Sequence, residues 1–432
     1  MVKDPDYKLD ILNNGLKVIT TKMDYINTIS IHILVKVGLW DQDIISSNKA
    51  HFIEHIIACE IIENIVAKNI LLYDYNASTY NEKTEYYINC LSNNFNIVLN
   101  KILDILNKIF NNYKIKKKIF EREKLAIMKE HINDMLSEEN TIMTNLLKFL
   151  FPKSYLHVDD KLLLENTKKI KISDLENFLK EYYIPGNIII SIAGNFKSKS
   201  NIIKSIKDKF CNIDKKKYSN DLLPVKINYK YEYKRMILPK YNNESKLIIS
   251  FYIGNYKDLD EKARFTIDII TKLLNLSIGY NETFSLLYRL RNKNKYVYYT
   301  NSELYLGKYS IFQIITEGID NKLIKKVINE IVNILNNFKN NLIPKDKLKK
   351  YIYDKEKLDE SFSKRYISSS FYSEFYGDLI LNDEKNYLGN ELSYLKKIKP
   401  TDIRNISKII FVKDNCKILL IGKYNRLINI NL

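Results

Sequence analysis

Apolar residues recur along this chain with two periods, alternation typical of strands and a 3–4 residue spacing typical of helices, and the two predict its elements in turn. In the first half the pattern predicts strands at about Lys17–Thr21 and Thr28–Val37, a helix at about Ser47–Ala67 and a strand pair within Tyr75–Cys90. A helix over Asn96–Asn111, a long charged helix over Ile115–Leu136, further helix and a terminal strand over Ile188–Gly194 follow. The second half opens with strands near Met236–Pro239 and Lys246–Ile253 and continues with a helix over Glu261–Leu276. Strands around Tyr296–Leu306 and Tyr309–Thr316 and a helix over Lys322–Phe338 complete the pattern. Helices intermingled with hairpin-like strand pairs imply an α+β fold with mostly antiparallel sheets.

An internal repeat organises these elements. Lys169-Ile-Lys-Ile-Ser-Asp-Leu175 runs parallel to Lys397-Ile-Lys-Pro-Thr-Asp-Ile403, an offset of 228 (397 less 169) that also pairs Asn187 with Asn415 and Gly194 with Gly422. Each copy predicts a helix, a turn and an apolar strand ending at glycine, with Ser173 and Thr401 as the expected N-caps. Two domains sharing one fold are expected, 1–211 and 232–432, joined by a Lys- and Asn-rich linker over 212–231 that holds Pro224.

Composition narrows the function classes. At 432 residues and 45% hydrophobic content the chain can bury two sizeable cores. Runs such as Ile188–Ala193 and Ile418–Gly422 are too short to span a bilayer and read as buried strands, so no membrane partner is expected. Lys3, Asp4, Asp6 and Lys8 interrupt the place of a signal-peptide core, and strand-like sequence by Leu16 leaves no room for a transit peptide. The expected location is the cytoplasm of a bacterium or endosymbiont-like cell, or an organelle matrix if the chain is a processed one. The net charge of +18 comes from lysines spread along a chain also rich in Asn, Ile and Tyr. Without a basic stripe interleaved with stacking aromatics, no nucleic-acid partner is expected. Four scattered cysteines without CxxC spacing read as reduced thiols.

Candidate chemistry centres on His51-Phe-Ile-Glu-His55. Four residues apart on a helix, His51 and His55 share one face and can reach one ion, while Glu54 projects beside them as a base. Phe52, Ile53, Ile56, Ile57, Ala58, Ile61 and Ile62 make the helix apolar nearly all round, so it is expected to be buried. Buried imidazoles and a carboxylate need satisfying partners, and a metal supplies them. With 5 His in the chain, coincidence yields this arrangement on the order of a few times in a thousand. Zinc catalysis calls for a third ligand. Pattern alone leaves it open among His32, His131, His157 and many carboxylates. Glu123 and Glu130 lie two turns apart on one helix face, but Glu130 by itself reads as a solvated carboxylate. His131 reads as a surface or packing histidine, and His32 and His157 as structural.

His51-Phe-Ile-Glu-His55, followed by Glu121-Arg-Glu-Lys-Leu-Ala-Ile-Met-Lys-Glu130, resembles the inverted-zincin (pitrilysin, M16) metallopeptidase family. The likeness is greatest to its shorter members, the bacterial processing proteases and the β subunit of the mitochondrial processing peptidase. The resemblance implies the LuxS/MPP-like metallohydrolase fold and one Zn2+ per chain, on His51, His55 and Glu130, with Glu54 as base and Glu123 in support. It reverses the reading of Glu130. Asn76-Ala77-Ser78-Thr79 resembles the family's substrate-binding edge strand. Leu290–Tyr298 resembles a segment whose Arg and Tyr hold substrate and steady the oxyanion, which implies those roles for Arg291 and Tyr298. Cys59-Glu60 stand where the family usually runs towards Gly-Thr, and Lys295 where it usually has Gly; the first bears on the pocket, the second on a turn. At the repeat offset His51 falls on Gly279, so the second half is expected to be a metal-free copy. Family members of this length pair two chains into a clamshell around a chamber. The expectation is therefore a zinc endopeptidase acting on peptides or unfolded segments, as a homodimer or paired with an inactive M16 chain. The alternative is a non-catalytic core subunit of an M16-type complex.

Overall fold

The computed structural model describes residues 5–41, 48–66, 72–152, 154, 156, 159–216, 225–276, 283–361, 368–384 and 391–432. The expected positions of His157 and Gly279, and 217–224 of the expected linker, lie outside these.

Contacts divide the chain into two compact units, Met1–Lys148 with Pro152–Val225 and Ser363–Asn386, and Phe149–Phe151 with Lys226–Phe362 and Tyr387–Leu432. The first unit holds strands β1 (Tyr7–Ile11), β2 (Lys17–Lys22), β3 (Thr28–Val35), β4 (Leu72–Thr79), β5 (Thr84–Leu91) and β6 (Ile188–Gly194) in one sheet, ordered β1-β2-β6-β3-β5-β4. Helix α1 (Lys49–Asn64) joins β3 to β4. Helices α2 (Phe95–Phe110), α3 (Lys117–Leu136), α4 (Glu138–Leu150), α5 (Asp160–Lys169) and α6 (Ile172–Tyr182) lead from β5 to β6, and α7 (Lys199–Phe210) follows. In the second unit β7 (Glu232–Met236), β8 (Glu244–Gly254), β9 (Tyr299–Tyr305), β10 (Ser310–Asp320) and β11 (Cys416–Ile421) form a sheet ordered β7-β11-β8-β10-β9. Helix α8 (Glu261–Asn275) lies between β8 and β9. The helices α9 (Ile324–Asn340), α10 (Lys345–Ser361), α11 (Ser369–Leu381), α12 (Glu391–Leu395) and α13 (Pro400–Ile410) lie between β10 and β11.

The fold class is α+β, as the patterning implies. Both sheets run antiparallel except for one matching pair each, β2 with β6 and β11 with β7. The strand orders 2-6-3-5-4 and 7-11-8-10-9 are one topology written twice, so the repeat seen in the sequence is a repeat of architecture.

Alternation along β3 explains how the first sheet is covered. Ile29, Ile31, Ile33 and Val35 face one core with α1 and α2, while Ser30 and His32 face the other way. That second face receives α11, whose Ser369 and Ser370 hydrogen-bond Ser30 (2.7 Å) and His32 Nε2 (3.3 Å). Gly377 permits the approach, since a Cβ there would stand 2.6 Å from Leu34 Cδ1. Residues of α11 thus belong to the first unit, although a contiguous division at 211 and 232 assigns them to the second half.

Helix starts differ from expectation in both copies. The N-caps are Lys171 and Lys399, not Ser173 and Thr401. Asp174 and Asp402, three residues on, accept from the cap N–H groups (2.9 and 2.8 Å). A carboxylate at this position captures the free cap donor and favours the helix dipole, so the helix begins two residues earlier. No helix among the described residues is long and apolar enough to cross a membrane.

Candidate metal centre

Helix α1 carries its apolar residues on all sides, and Phe52, Ile53, Ile56 and Ile57 are buried in the first core. His51 and His55 face α3, and Glu54 faces β4 at the edge of the sheet. His51 Nε2 and His55 Nε2 lie 3.2 Å apart, and Glu130 Oε2, from α3, is 3.5 Å from each. A tetrahedral ion with bonds of about 2.0–2.2 Å sets its donors roughly 3.3 Å apart, so this triangle has the edge lengths of one face of a zinc tetrahedron. The three residues converge tightly enough to hold one cation.

Burial, then the neighbouring His55 and His131, depress the His51 pKa to about 3, so the imidazole is neutral and offers a lone pair at pH 7. Glu54, on the same face, has Oε2 4.0 Å from His51 Nε2 and accepts from the Thr79 hydroxyl at 3.3 Å. Burial raises its pKa, the shift a base working near neutrality needs, against the opposing pull of His55 and the Thr79 bond.

Glu123, one face of α3 with Glu130, accepts from His55 Nδ1 at 3.1 Å. Such a carboxylate fixes the ring and leaves Nε2 for an ion. Burial raises the Glu123 pKa, but bonds from Arg122 (2.7 Å), His55 and Cys59 outweigh it and leave it lowered. Cys59, which departs from the family pattern, donates to Glu123 Oε1 at 3.2 Å, and burial pushes its thiol up to about 11. The neighbouring departure, Glu60, is buried and accepts from the Tyr113 hydroxyl at 2.7 Å.

Strand β4 closes the site. Among the described residues it is the end strand of its sheet and pairs with β5 alone, Asn76 to Tyr87, Ala77 to Tyr86, Ser78 to Glu85 and Thr79 to Thr84. A cleft of about 220 Å³ runs between Glu54, His55, Cys59, Glu123 and Asn76–Ala77.

Arg291 and Tyr298 stand together in the second unit, the guanidinium 5.8 Å from the ring centroid and the tyrosine 76% exposed. Lys295 between them adopts φ 53, the left-handed region. A side chain in that conformation costs about 1 kcal/mol.

His131, expected at the surface or in packing, is buried at 4% exposure beside the centre, its ring 6.0 Å from that of His51. With Asp134 and Asp160 it forms a second group close enough for a cation. His32 is buried against Glu85 and stacks on Tyr87, a structural role. Sequence reading missed Asn48, whose side chain meets His51, His131 and Thr167. No periodic pattern marks it; a polar residue three before the first histidine was the only signal.

Comparison with known proteins follows the same lines. A family model described as "Insulinase (Peptidase family M16)" matches residues 17–153, and one described as "Peptidase M16 inactive domain" matches 169–352. An uncharacterized zinc protease of Rickettsia felis is 28% identical over 331 residues, 74% of this chain and 75% of that protein. The mitochondrial-processing peptidase subunit beta of Dictyostelium discoideum is 26% identical over 224 residues, 50% of this chain and 46% of that one. The crystal structure of a protease from Helicobacter pylori superposes with a TM-score of 0.80 at 18% identity, covering 97% of this chain and all of that one.

Proposed function

Starting from the fact that the chain belongs to the peptidase M16 family, we propose that it is a zinc-dependent endopeptidase acting on peptides or unfolded segments. The observation that carries this reading is the triangle of His51, His55 and Glu130 with the buried Glu54 beside it. The donor set, two imidazoles and a carboxylate, is the kind zinc takes at catalytic sites. Bound there, the metal would supply Lewis acidity to a water and to the scissile carbonyl.

The remaining steps fall to the chain's own side chains. Glu54 takes a proton from the attacking water and returns it to the leaving amine, a role that contributes about 10²–10⁴-fold. Glu123 holds His55 in place. The outer edge of β4, over Asn76–Thr79, binds the substrate backbone as an added strand, which demands an extended chain and little particular sequence. Arg291 and Tyr298 hold the peptide and steady its developing oxyanion. The active form is proposed to be a pair of chains enclosing a chamber, with a second copy of this chain favoured over an inactive partner, because one chain carries both the ligand set and the Arg/Tyr pair.

The rival reading is a non-catalytic structural subunit. The match to an inactive-domain model concerns 169–352, which contains none of His51, Glu54, His55 or Glu130. Cleavage of an unstructured peptide by zinc-loaded wild type and Glu54→Gln separates the two readings. The proposal expects turnover by the wild type and a loss of at least about 10²-fold in the variant at unchanged zinc content. Equal rates, or no turnover by the zinc-loaded wild type, would sink it.

A further inference from the structure

Asn48 directly precedes α1 with φ 83, the left-handed conformation that asparagine tolerates better than most residues. An asparagine in front of a helix ordinarily turns its side chain onto a first-turn N–H, but this one makes no such bond. Its amide reaches sideways instead, at 1% exposure, to three residues from three elements.

Thr167 tells the two ends of that amide apart. The Thr167 hydroxyl proton is used on Leu163 O at 2.8 Å, so its oxygen must accept. The amide group 2.6 Å from it is therefore the N–H end. The second hydrogen on Asn48 Nδ2 goes to His131 Nε2 at 2.8 Å, which fixes that nitrogen as an acceptor. Oδ1 is left to face His51 Nδ1 at 3.2 Å, and an oxygen there can only accept. A neutral imidazole has one N–H. With it on Nδ1, the His51 lone pair sits on Nε2, the atom that faces His55 and Glu130.

We propose that Asn48 is a positioning residue for the metal centre, holding His51 in the tautomer that presents Nε2, with Thr167 fixing the polarity of its amide from behind. The two histidines are thus oriented by different means, His55 by the Glu123 carboxylate and His51 by a neutral amide. One consequence concerns the second group of possible ligands. His131, accepting at Nε2, carries its proton on Nδ1, a buried atom without a hydrogen-bond partner that lies 3.7 Å from Asp160 Oδ1. A protonated nitrogen offers no lone pair, so His131, Asp134 and Asp160 do not hold a metal while Asn48 keeps this orientation.

The inference rests on the zinc site proposed above, and its test separates the two. Zinc affinity of the full chain is measured by competition with a chromophoric chelator for wild type, Asn48→Gly and Thr167→Val, alongside the thermal unfolding of each metal-free protein. Glycine adopts the left-handed conformation freely, so Asn48→Gly removes the amide and keeps the helix start. Its zinc affinity should fall about 10–100-fold, the usual effect of losing a partner that orients a ligand, while its metal-free midpoint stays within a few degrees of wild type. Thr167→Val, which touches no ligand, should weaken zinc by a smaller factor. Wild-type affinity in either variant would overturn the inference. So would a loss of metal-free stability matching the loss of affinity, the mark of a damaged helix start. A wild-type chain that takes up no zinc would instead contradict the proposed function.

Discussion

Helices α1 and α8 occupy equivalent places in the two units, each leaving the strand before it (β3, β8) and leading to a hairpin (β4–β5, β9–β10). In α8 the buried polar side chains are satisfied within the helix. Asp260 caps it through Ala263 N at 2.6 Å, and the buried Thr266 and Thr271 hydroxyls donate to Lys262 O and Ile267 O one turn back. In α1 the buried Glu54 and Glu60 and the half-buried His55 are satisfied from elsewhere in the chain, by Thr79, Tyr113 and Glu123 in turn. Even its preceding asparagine serves a histidine rather than the helix. A buried helix that meets its own polar needs is scaffold, whereas one whose polar groups need partners from several elements marks a site. The histidines divide the same way: all five of them, residues 32, 51, 55, 131 and 157, lie in the first half.

The contrast can be broken at its strongest point by Glu60→Gln. Burial opposes the Glu60 charge, but Tyr113, Lys116 and Lys108 together leave its pKa lowered. A carboxyl whose pKa falls on folding stabilises the protein above its ordinary value of 4.5, and that contribution disappears as pH drops through the lowered one. Chemical denaturation at neutral pH should show a loss of about 1–3 kcal/mol in the variant, with the two proteins converging in acid. Next in size, Glu123→Gln should weaken zinc about 10–100-fold and leave Glu54-dependent chemistry intact once zinc is saturating. On the scaffold side, Asp260→Ala removes a true cap and should cost about 1 kcal/mol by the same denaturation measurement. Asn48→Gly, at the equivalent place, should cost far less. Smallest is Lys295→Gly, expected to stabilise by a few tenths to about 1 kcal/mol because glycine relieves the left-handed strain.

Much of this contrast was legible in the sequence because it is local. The apolar periods located α1, α8, β3 and β8 within a few residues, and the 228 offset announced the shared topology. Spacing alone put His51, Glu54 and His55 on one face. What was hidden is what forms across the chain. Glu130 looks like any solvated helix carboxylate, and at 45% side-chain exposure it nearly is one; only its neighbours on α1 single it out. The edge strand β1, half exposed, has too little alternation to stand out. Helix α11 lies more than 300 residues from the β3 serine it bonds, and no short-range pattern reports that distance. Asn48 drew no notice because its meaning depends on Thr167 and His131, both far along the chain.

On the proposed function, one unit of the repeat would hold one metal ion through His51, His55 and Glu130 and the other none. It is tested most directly by zinc bound per chain at saturation, in wild type and in a His55→Ala, Glu130→Gln double variant. The account expects one ion in the wild type and none in the variant. No zinc in the wild type, or a full ion retained by the variant, would contradict it.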